Sequence, residues 1–173
     1  FAVTTDRICN IVSPEFKAAG HKTVLLKPDY DENHLPAAAS LKKIYRTVTE
    51  LMRAGKVYAA YTLTYGGIAE AVMKMAFGNG IGFEYDSSIT KNEIFEYLYG
   101  AFVLEVSDSC TKGTLLGHTI HEECIRYGSC TLSLKELLEQ YENTLEPIYP
   151  CNIKQEGNKI ERLSYKAQSC LLY

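Results

Sequence analysis

Hydrophobic residues recur at three- and four-residue intervals from Ser40, with lysines and arginines on the other side of the pattern. This spacing predicts an amphipathic helix, and Gly55 supplies its C-terminal cap. The apolar positions of its buried face are Leu41, Ile44, Tyr45, Val48, Leu51 and Met52. The preceding segment 28–36 is rich in Pro, Asp and Asn, which predicts an exposed loop.

A nearly continuous apolar run from Val57 to Thr62 is followed by the pair Gly66-Gly67 and then by apolar residues at helical spacing. This order predicts a strand, a tight turn and a helix that ends at the Gly78-Asn79-Gly80 segment. The inner face of that helix carries Ile68, Ala71, Val72, Met75 and Ala76.

Short runs of β-branched and apolar residues predict further strands over 1–12, 22–26, 81–85, 101–106, 114–120 and 130–132. Ser13-Pro14 suits a short helical turn with a Ser N-cap, and Thr90 and Ser133 each begin a capping-box spacing for a helix. Alternating strands and helices predict an α+β fold with helices covering a mixed sheet. We expect one domain over residues 1–150 and a tail or linker over 151–173, where the periodicity fades.

The 173 residues are 46% hydrophobic, which is enough for one sizeable core. A net charge of −3 provides no broad basic face, so nucleic acid is not an expected partner. Neither an apolar run long enough for a membrane span nor a leader segment is present in the sequence, so a cytoplasmic protein is the default. Because the sequence starts at Phe1 in a strand-like pattern, we interpret it as part of a longer polypeptide.

The strand, Gly-Gly turn and helix form a layout that can hold a phosphate. Glycines let the backbone approach an anion, and the first amides of a helix point outward at the positive end of its dipole. The predicted phosphate-binding residues are Thr64, Tyr65, Gly66, Gly67 and Ile68, with Thr64 and the amides of Gly67 and Ile68 as donors. The alternative is that the two glycines only turn the chain between packed elements.

Several segments together resemble the C-terminal domain of the aminoimidazole ribonucleotide (AIR) synthetase superfamily, and within it the phosphoribosylformylglycinamidine synthase family. They are residues 1–5, 11–17, 19–28, 60–67, 74–78 and 100–106. Further along the chain, Gly117, 134–138 and 144–150 resemble the stretch that leads toward the glutaminase domain in the large form of this synthase. The resemblance covers roughly residues 1–150. It implies a three-layer α/β/α domain with partly ferredoxin-like topology.

At the turn, this chain departs from the family pattern, which often reads His-Asp-x-Ser-Asp-Gly-Gly. The positions of the His and the two Asp are occupied by Tyr61, Thr62 and Tyr65. Before Gly100, where the family often has acidic residues, this chain has Tyr97, Leu98 and Tyr99. A carboxylate can hold Mg²⁺ beside a phosphate, whereas a neutral hydroxyl offers only a hydrogen bond. The departures suggest the auxiliary, second half of the synthase; the alternative is subfamily drift with the chemistry moved elsewhere.

Five possible metal ligands lie close together in the sequence, but their spacing matches no established site. They are His118, His121, Glu122, Glu123 and Cys124. If the segment is a strand, the two histidines point to opposite faces. Neither a metal site nor a catalytic residue is therefore predicted, and Cys124 beside His121 is an arbitrary choice of nucleophile among six cysteines.

The resemblance implies a parent enzyme that uses ATP and Mg²⁺ to activate formylglycinamide ribonucleotide for amination by ammonia from glutamine. In that enzyme this chain would contribute cleft wall and a phosphate site, and alone it would bind no cofactor tightly and be inactive. Implied partners are an N-terminal AIR synthetase-type domain and a glutaminase domain of the same polypeptide, and a homodimer of the fragment is left open. A competing hypothesis is a purely structural module that packs the synthetase halves and the glutaminase together without a ligand.

Overall fold

The computed structural model describes residues 3–150. In these residues seven strands and four helices follow one another, with a short 3-10 helix at Ile8–Asn10 before the first strand. The strands are β1 (Lys22–Leu26), β2 (Val57–Thr62), β3 (Gly82–Tyr85), β4 (Phe102–Val106), β5 (Thr114–Ile120), β6 (Cys124–Tyr127) and β7 (Cys130–Ser133). The helices are α1 (Ala38–Arg53), α2 (Gly67–Asn79), α3 (Lys91–Ile94) and α4 (Leu134–Asn143).

All seven strands belong to one mixed sheet with the order β2-β4-β1-β5-β3-β6-β7. Strands β3 and β6 pair in parallel, and the other neighbours are antiparallel. Strand β1 lies between β4 and β5, so it is hydrogen-bonded on both edges, which accounts for its nearly complete burial.

Successive side chains of a strand point to opposite faces of the sheet, so apolar strand residues lie on both faces. A helix covers each face. On one face Leu25 and Val103 pack with α2 residues such as Val72 and Met75. On the other face, Leu104 packs with α1 residues such as Leu51. The prediction of an α+β fold with helices on both sides of a mixed sheet is confirmed.

The chain divides into two compact units, of which the first ends at Tyr141 and contains the sheet. In the second unit, the described residues finish α4 and then turn at Leu145, whose carbonyl accepts hydrogen bonds from the N–H groups of Ile148 and Tyr149. The tail predicted for residues 151–173 lies outside the described residues. Within residues 3–150, none of the helices has the length and apolar character needed to cross a membrane.

The strand predicted for residues 1–12 is wrong over its described part. Val3, Ile8 and Ile11 are 76%, 78% and 59% exposed, and this segment pairs with no strand of the sheet in the described chain. A β-like pattern becomes a strand only when a neighbour offers hydrogen bonds and a surface to pack on. Here no strand of the described chain pairs with the segment, and only Val12 packs against the core.

The helical turn predicted at Ser13-Pro14 is also wrong, because tertiary contacts direct the chain elsewhere. The Ser13 hydroxyl donates to the Glu15 carboxylate at 2.5 Å and caps no helix. Phe16 is fully buried, and its N–H donates to the carbonyl of Met75 at 2.9 Å. Docking Phe16 against α2 therefore determines the path of this loop. Strand β6 was not predicted, because a short run containing Cys and Arg has no clear alternation.

Candidate functional site

The turn between β2 and α2 requires glycine at both of its central positions. Gly67 has φ +61°, and a Cβ there would lie 2.5 Å from the carbonyl oxygen of Glu96. A Cβ on Gly66 would lie 2.4 Å from the Cβ of Glu70. The backbone of the turn therefore lies close to the loop after α3 and to the Glu70 side chain of α2, and only glycine leaves room for both contacts.

The five predicted phosphate-binding residues lie together at this turn, but they differ in accessibility. Thr64 and Tyr65 are exposed, Gly66 is half-buried, and Gly67 and Ile68 are buried. The N–H of Gly67, which was predicted to face an anion, donates to the Thr64 carbonyl at 3.2 Å. An anion that approaches from solvent therefore meets Thr64 and the Gly66 N–H before it meets the predicted amides.

A carboxylate from the same helix already accepts hydrogen bonds from those two accessible donors. Glu70 Oε2 accepts from the Gly66 N–H at 3.1 Å and from Thr64 Oγ1 at 3.0 Å. Its other oxygen, Oε1, accepts from Lys74 Nζ at 2.7 Å, and this Nζ lies 5.5 Å from the centre of the Tyr141 ring. We call Thr64, Gly66, Glu70 and Lys74 the turn clasp.

Electrostatics keep the clasp charged at neutral pH. The hydrogen bond from Lys74 is the largest of the effects that hold the pKa of Glu70 below its ordinary value, and partial burial opposes it. The reciprocal hydrogen bond raises the pKa of Lys74 above its ordinary value. Lys74 was not among the residues predicted for the turn. The available signal was the Glu70/Lys74 pair at i and i+4, the spacing at which such side chains meet on a helix.

Exposed aromatic side chains flank the turn. Tyr65 and Tyr97 stack with ring centroids 4.9 Å apart, and hydrogen bonding to Tyr65 raises the pKa of Tyr97 above its ordinary value. Phe95, Tyr97 and Tyr99 are 68%, 52% and 46% exposed, whereas Leu98 is buried. Tyr65, Phe95, Tyr97 and Tyr99 form what we call the aromatic patch.

Tyr61 and Thr62, the other positions that differ from the family pattern, lie in the last part of β2, where Thr62 is exposed and Tyr61 half-buried. A cavity of about 60 Å³ lies next to Ile68. That volume is several-fold below the ~300–1,000 Å³ of a small-molecule pocket. This cavity is therefore too small to hold a nucleotide.

The segment from His118 to Cys124 does not bring its potential ligands together. His118 lies in β5 opposite Glu84 of β3, His121 lies beyond the end of β5, and Cys124 is buried in β6. Within residues 3–150, no group of three or more His, Cys, Asp or Glu side chains is arranged to hold a metal ion. His118 and Glu84 instead line an open cavity of about 300 Å³, which contains no residue of the β2–α2 turn.

A buried carboxylate that sequence reasoning missed lies in β4. Glu105 is fully buried and accepts hydrogen bonds from the Lys17 N–H at 2.8 Å and the Ala18 N–H at 3.3 Å. The ring Nδ1 of His21 lies 2.5 Å from its Oε1, and this ring also packs against Tyr58 at 4.6 Å. Glu105 thus attaches the loop before β1 to the sheet.

Comparison with known proteins finds PurL subunits among the relatives of this chain. No protein-family model matches the chain. The phosphoribosylformylglycinamidine synthase subunit PurL of Limosilactobacillus fermentum is 25% identical over 135 residues, which is 73% of this chain and 17% of that protein. The PurL subunit of Lactobacillus delbrueckii subsp. bulgaricus is 32% identical over 78 residues, which is 45% of this chain and 10% of that protein. The chain therefore spans less than a fifth of the length of the curated relatives it matches.

Solved structures share the fold. The PurLQS structure from Thermotoga maritima matches 94% of this chain and 32% of the solved chain at a TM-score of 0.64, with 12% sequence identity. T. maritima PurL complexed with FGAR matches 91% of this chain and 33% of the solved chain at 0.61 and 12% identity. T. maritima PurL complexed with ATP matches 95% of this chain and 32% of the solved chain at 0.60 and 13% identity.

The chain therefore shares its fold with about a third of T. maritima PurL. Sequence and fold together relate this domain to phosphoribosylformylglycinamidine synthase, as the resemblance in its motifs indicated.

Proposed function

We propose that the chain is a domain of an ATP-dependent carbon–nitrogen ligase of purine biosynthesis, and that it lies in the second, auxiliary half of that enzyme. The reaction would convert formylglycinamide ribonucleotide, glutamine and ATP to formylglycinamidine ribonucleotide. The sequence relationship to PurL over 73% of the chain is the observation that carries this proposal. The fold shared with PurL complexed with FGAR and with ATP supports it.

Within that enzyme, the domain would form a wall of the cleft and bind a phosphate at Thr64, Tyr65, Gly66, Gly67 and Ile68. The exposed Thr64 hydroxyl and the N-terminus of α2 support this role. ATP or ADP with Mg²⁺ would be the cofactors of the whole enzyme. Because hydroxyl residues occupy positions 61, 62 and 65, we do not assign a Mg²⁺ ligand to them.

The alternative is a structural module without a ligand, and one observation favours it. The turn clasp already provides the Gly66 N–H and the Thr64 hydroxyl with an anionic partner. Under this alternative, the aromatic patch would serve only to pack against the N-terminal AIR synthetase-type domain, the glutaminase domain or a second copy of the chain. Exposed aromatic side chains of this kind are enriched where proteins meet.

The ligase proposal is tested with the polypeptide that carries this sequence in its native source. That polypeptide should release ADP and amidate formylglycinamide ribonucleotide only when ATP and either glutamine or ammonia are supplied. Omitting the ribonucleotide is the control for unrelated ATP hydrolysis. ADP release that does not depend on the ribonucleotide would contradict the assignment, and the 173-residue chain alone should be inactive.

A further inference from the structure

The turn clasp contains a carboxylate where the proposed phosphate would bind. Glu70 lies one turn into α2, and its side chain folds back over Gly66, which has no Cβ to obstruct it. Oxygen Oε2 then accepts from both accessible donors of the turn, the Gly66 N–H and the Thr64 hydroxyl. Glu70 thus acts as a helix cap and as an anion built into the chain.

Two properties of the clasp make this internal anion difficult to displace. It is tethered to the helix that it caps, so it reforms its contacts without the entropy loss that a free ligand incurs on binding. Lys74 holds the second oxygen at 2.7 Å, and the ring of Tyr141 lies under the ammonium group at 5.5 Å. A free phosphate would have to compete for the same donors while repelled by an adjacent negative charge.

We propose that the turn is self-occluded: Glu70 fills the phosphate position, and a phosphate binds only when this side chain moves away. The inference rests on the phosphate role proposed above for the turn and adds its regulation. Once Glu70 leaves, the Gly66 N–H, the Thr64 hydroxyl and the Lys74 ammonium group are released together. A neighbouring domain that offers a cation to Glu70 would thereby open the site.

The test compares the folded chain with two variants in a titration with inorganic phosphate, followed by the backbone amide shifts of residues 64–70. Glu70→Ala removes the internal anion and frees Lys74, so its phosphate affinity should be at least tenfold higher than that of the unmodified chain. Glu50→Ala is the matched control, since it removes an equal charge from an exposed position of α1 on the other face of the sheet. This control should bind as the unmodified chain does.

A Glu70→Leu variant keeps a side chain of similar bulk without an oxygen that could accept from the turn, and it repeats the comparison if Glu70→Ala does not fold. Equal phosphate affinity in the unmodified chain and in the folded variant would overturn the self-occlusion and leave the phosphate site standing. No response in either protein would overturn both the self-occlusion and the phosphate role. The ligase proposal is independent of both results, because the amidation assay decides it.

Discussion

Replacing Glu105 should destabilise the domain more than replacing any exposed glutamate. Its carboxylate is fully buried in β4 and accepts hydrogen bonds from the Lys17 N–H, the Ala18 N–H and the His21 ring. These three donors belong to the loop that leads into β1. Removal of the carboxylate leaves them without their acceptor and leaves a space in the sheet face that contacts the loop.

The expected cost follows from the number and strength of these contacts. Truncating one partner of a buried charged network costs about 3–5 kcal/mol, and each donor left unsatisfied contributes about 1–3 kcal/mol. The Ala18 contact is long at 3.3 Å and contributes least. We therefore expect a loss of about 3–5 kcal/mol for Glu105→Ala. Glu105→Gln should lose about 1–3 kcal/mol, because its amide oxygen still accepts while its NH2 group faces a donor.

Urea unfolding followed by far-UV circular dichroism measures these free energies of unfolding. Glu84→Ala is the control: it also removes a glutamate from a strand, but its side chain is 55% exposed, and the change should stay within about 0.5 kcal/mol. If Glu105→Ala unfolds at the same urea concentration as the control, the hydrogen bonds to this carboxylate contribute no net stability and the reasoning is wrong.

Three further outcomes follow from particular contacts. Gly67→Ala should lower the free energy of unfolding by about 2–5 kcal/mol, because it combines a positive φ with a backbone clash. Gly55 also has a positive φ, +65°, but open space around it, so Gly55→Ala should cost about 1–2 kcal/mol. Equal urea midpoints for the two variants would contradict this. Thr90→Ala removes a capping box and should cost about 1 kcal/mol by the same measurement. The hydrogen bond from Lys17 is the largest effect that lowers the pKa of Glu15 to about 2, so Lys17→Met should raise it toward the ordinary value in an NMR titration, and an unchanged pKa would refute the pairing.

Sequence periodicity predicted the elements whose pattern matches their tertiary environment. Strands β1, β2 and β5 begin and end at the predicted residues, and α1 begins two residues before Ser40 and ends next to Gly55 as expected. These elements have one face or both faces buried, so their composition carries the signal. The strand predicted at the start of the chain failed for the opposite reason, since residues 3–12 have strand-like composition without a strand partner in the described chain.

For the candidate site, the sequence predicted the position of the turn but not which acceptor its donors contact. The Gly66-Gly67 pair correctly located the β2–α2 turn, because only glycine permits such close backbone approach. It did not reveal that Glu70 folds back onto the turn, since helical spacing predicts contact with Lys74 but not with a preceding N–H group. Nor could it find the pair of Glu105 and His21, which are 84 residues apart in the sequence and meet only after the sheet forms.

The turn clasp and the aromatic patch are joined through the side chain of Tyr65. This contact links the two hypotheses for the domain, which are a phosphate site and a structural module. Tyr65 directly precedes Gly66 and stacks on Tyr97, while Gly67 lies against the backbone of the loop that carries the patch. If the turn backbone moves when Glu70 leaves, the Tyr65 ring moves on its exposed partner as well. A protein docked on the patch and a phosphate at the turn would then affect each other's binding, as linkage requires when two ligands share one movable element. On this view, phosphate binding and domain packing are two uses of the same β2–α2 turn.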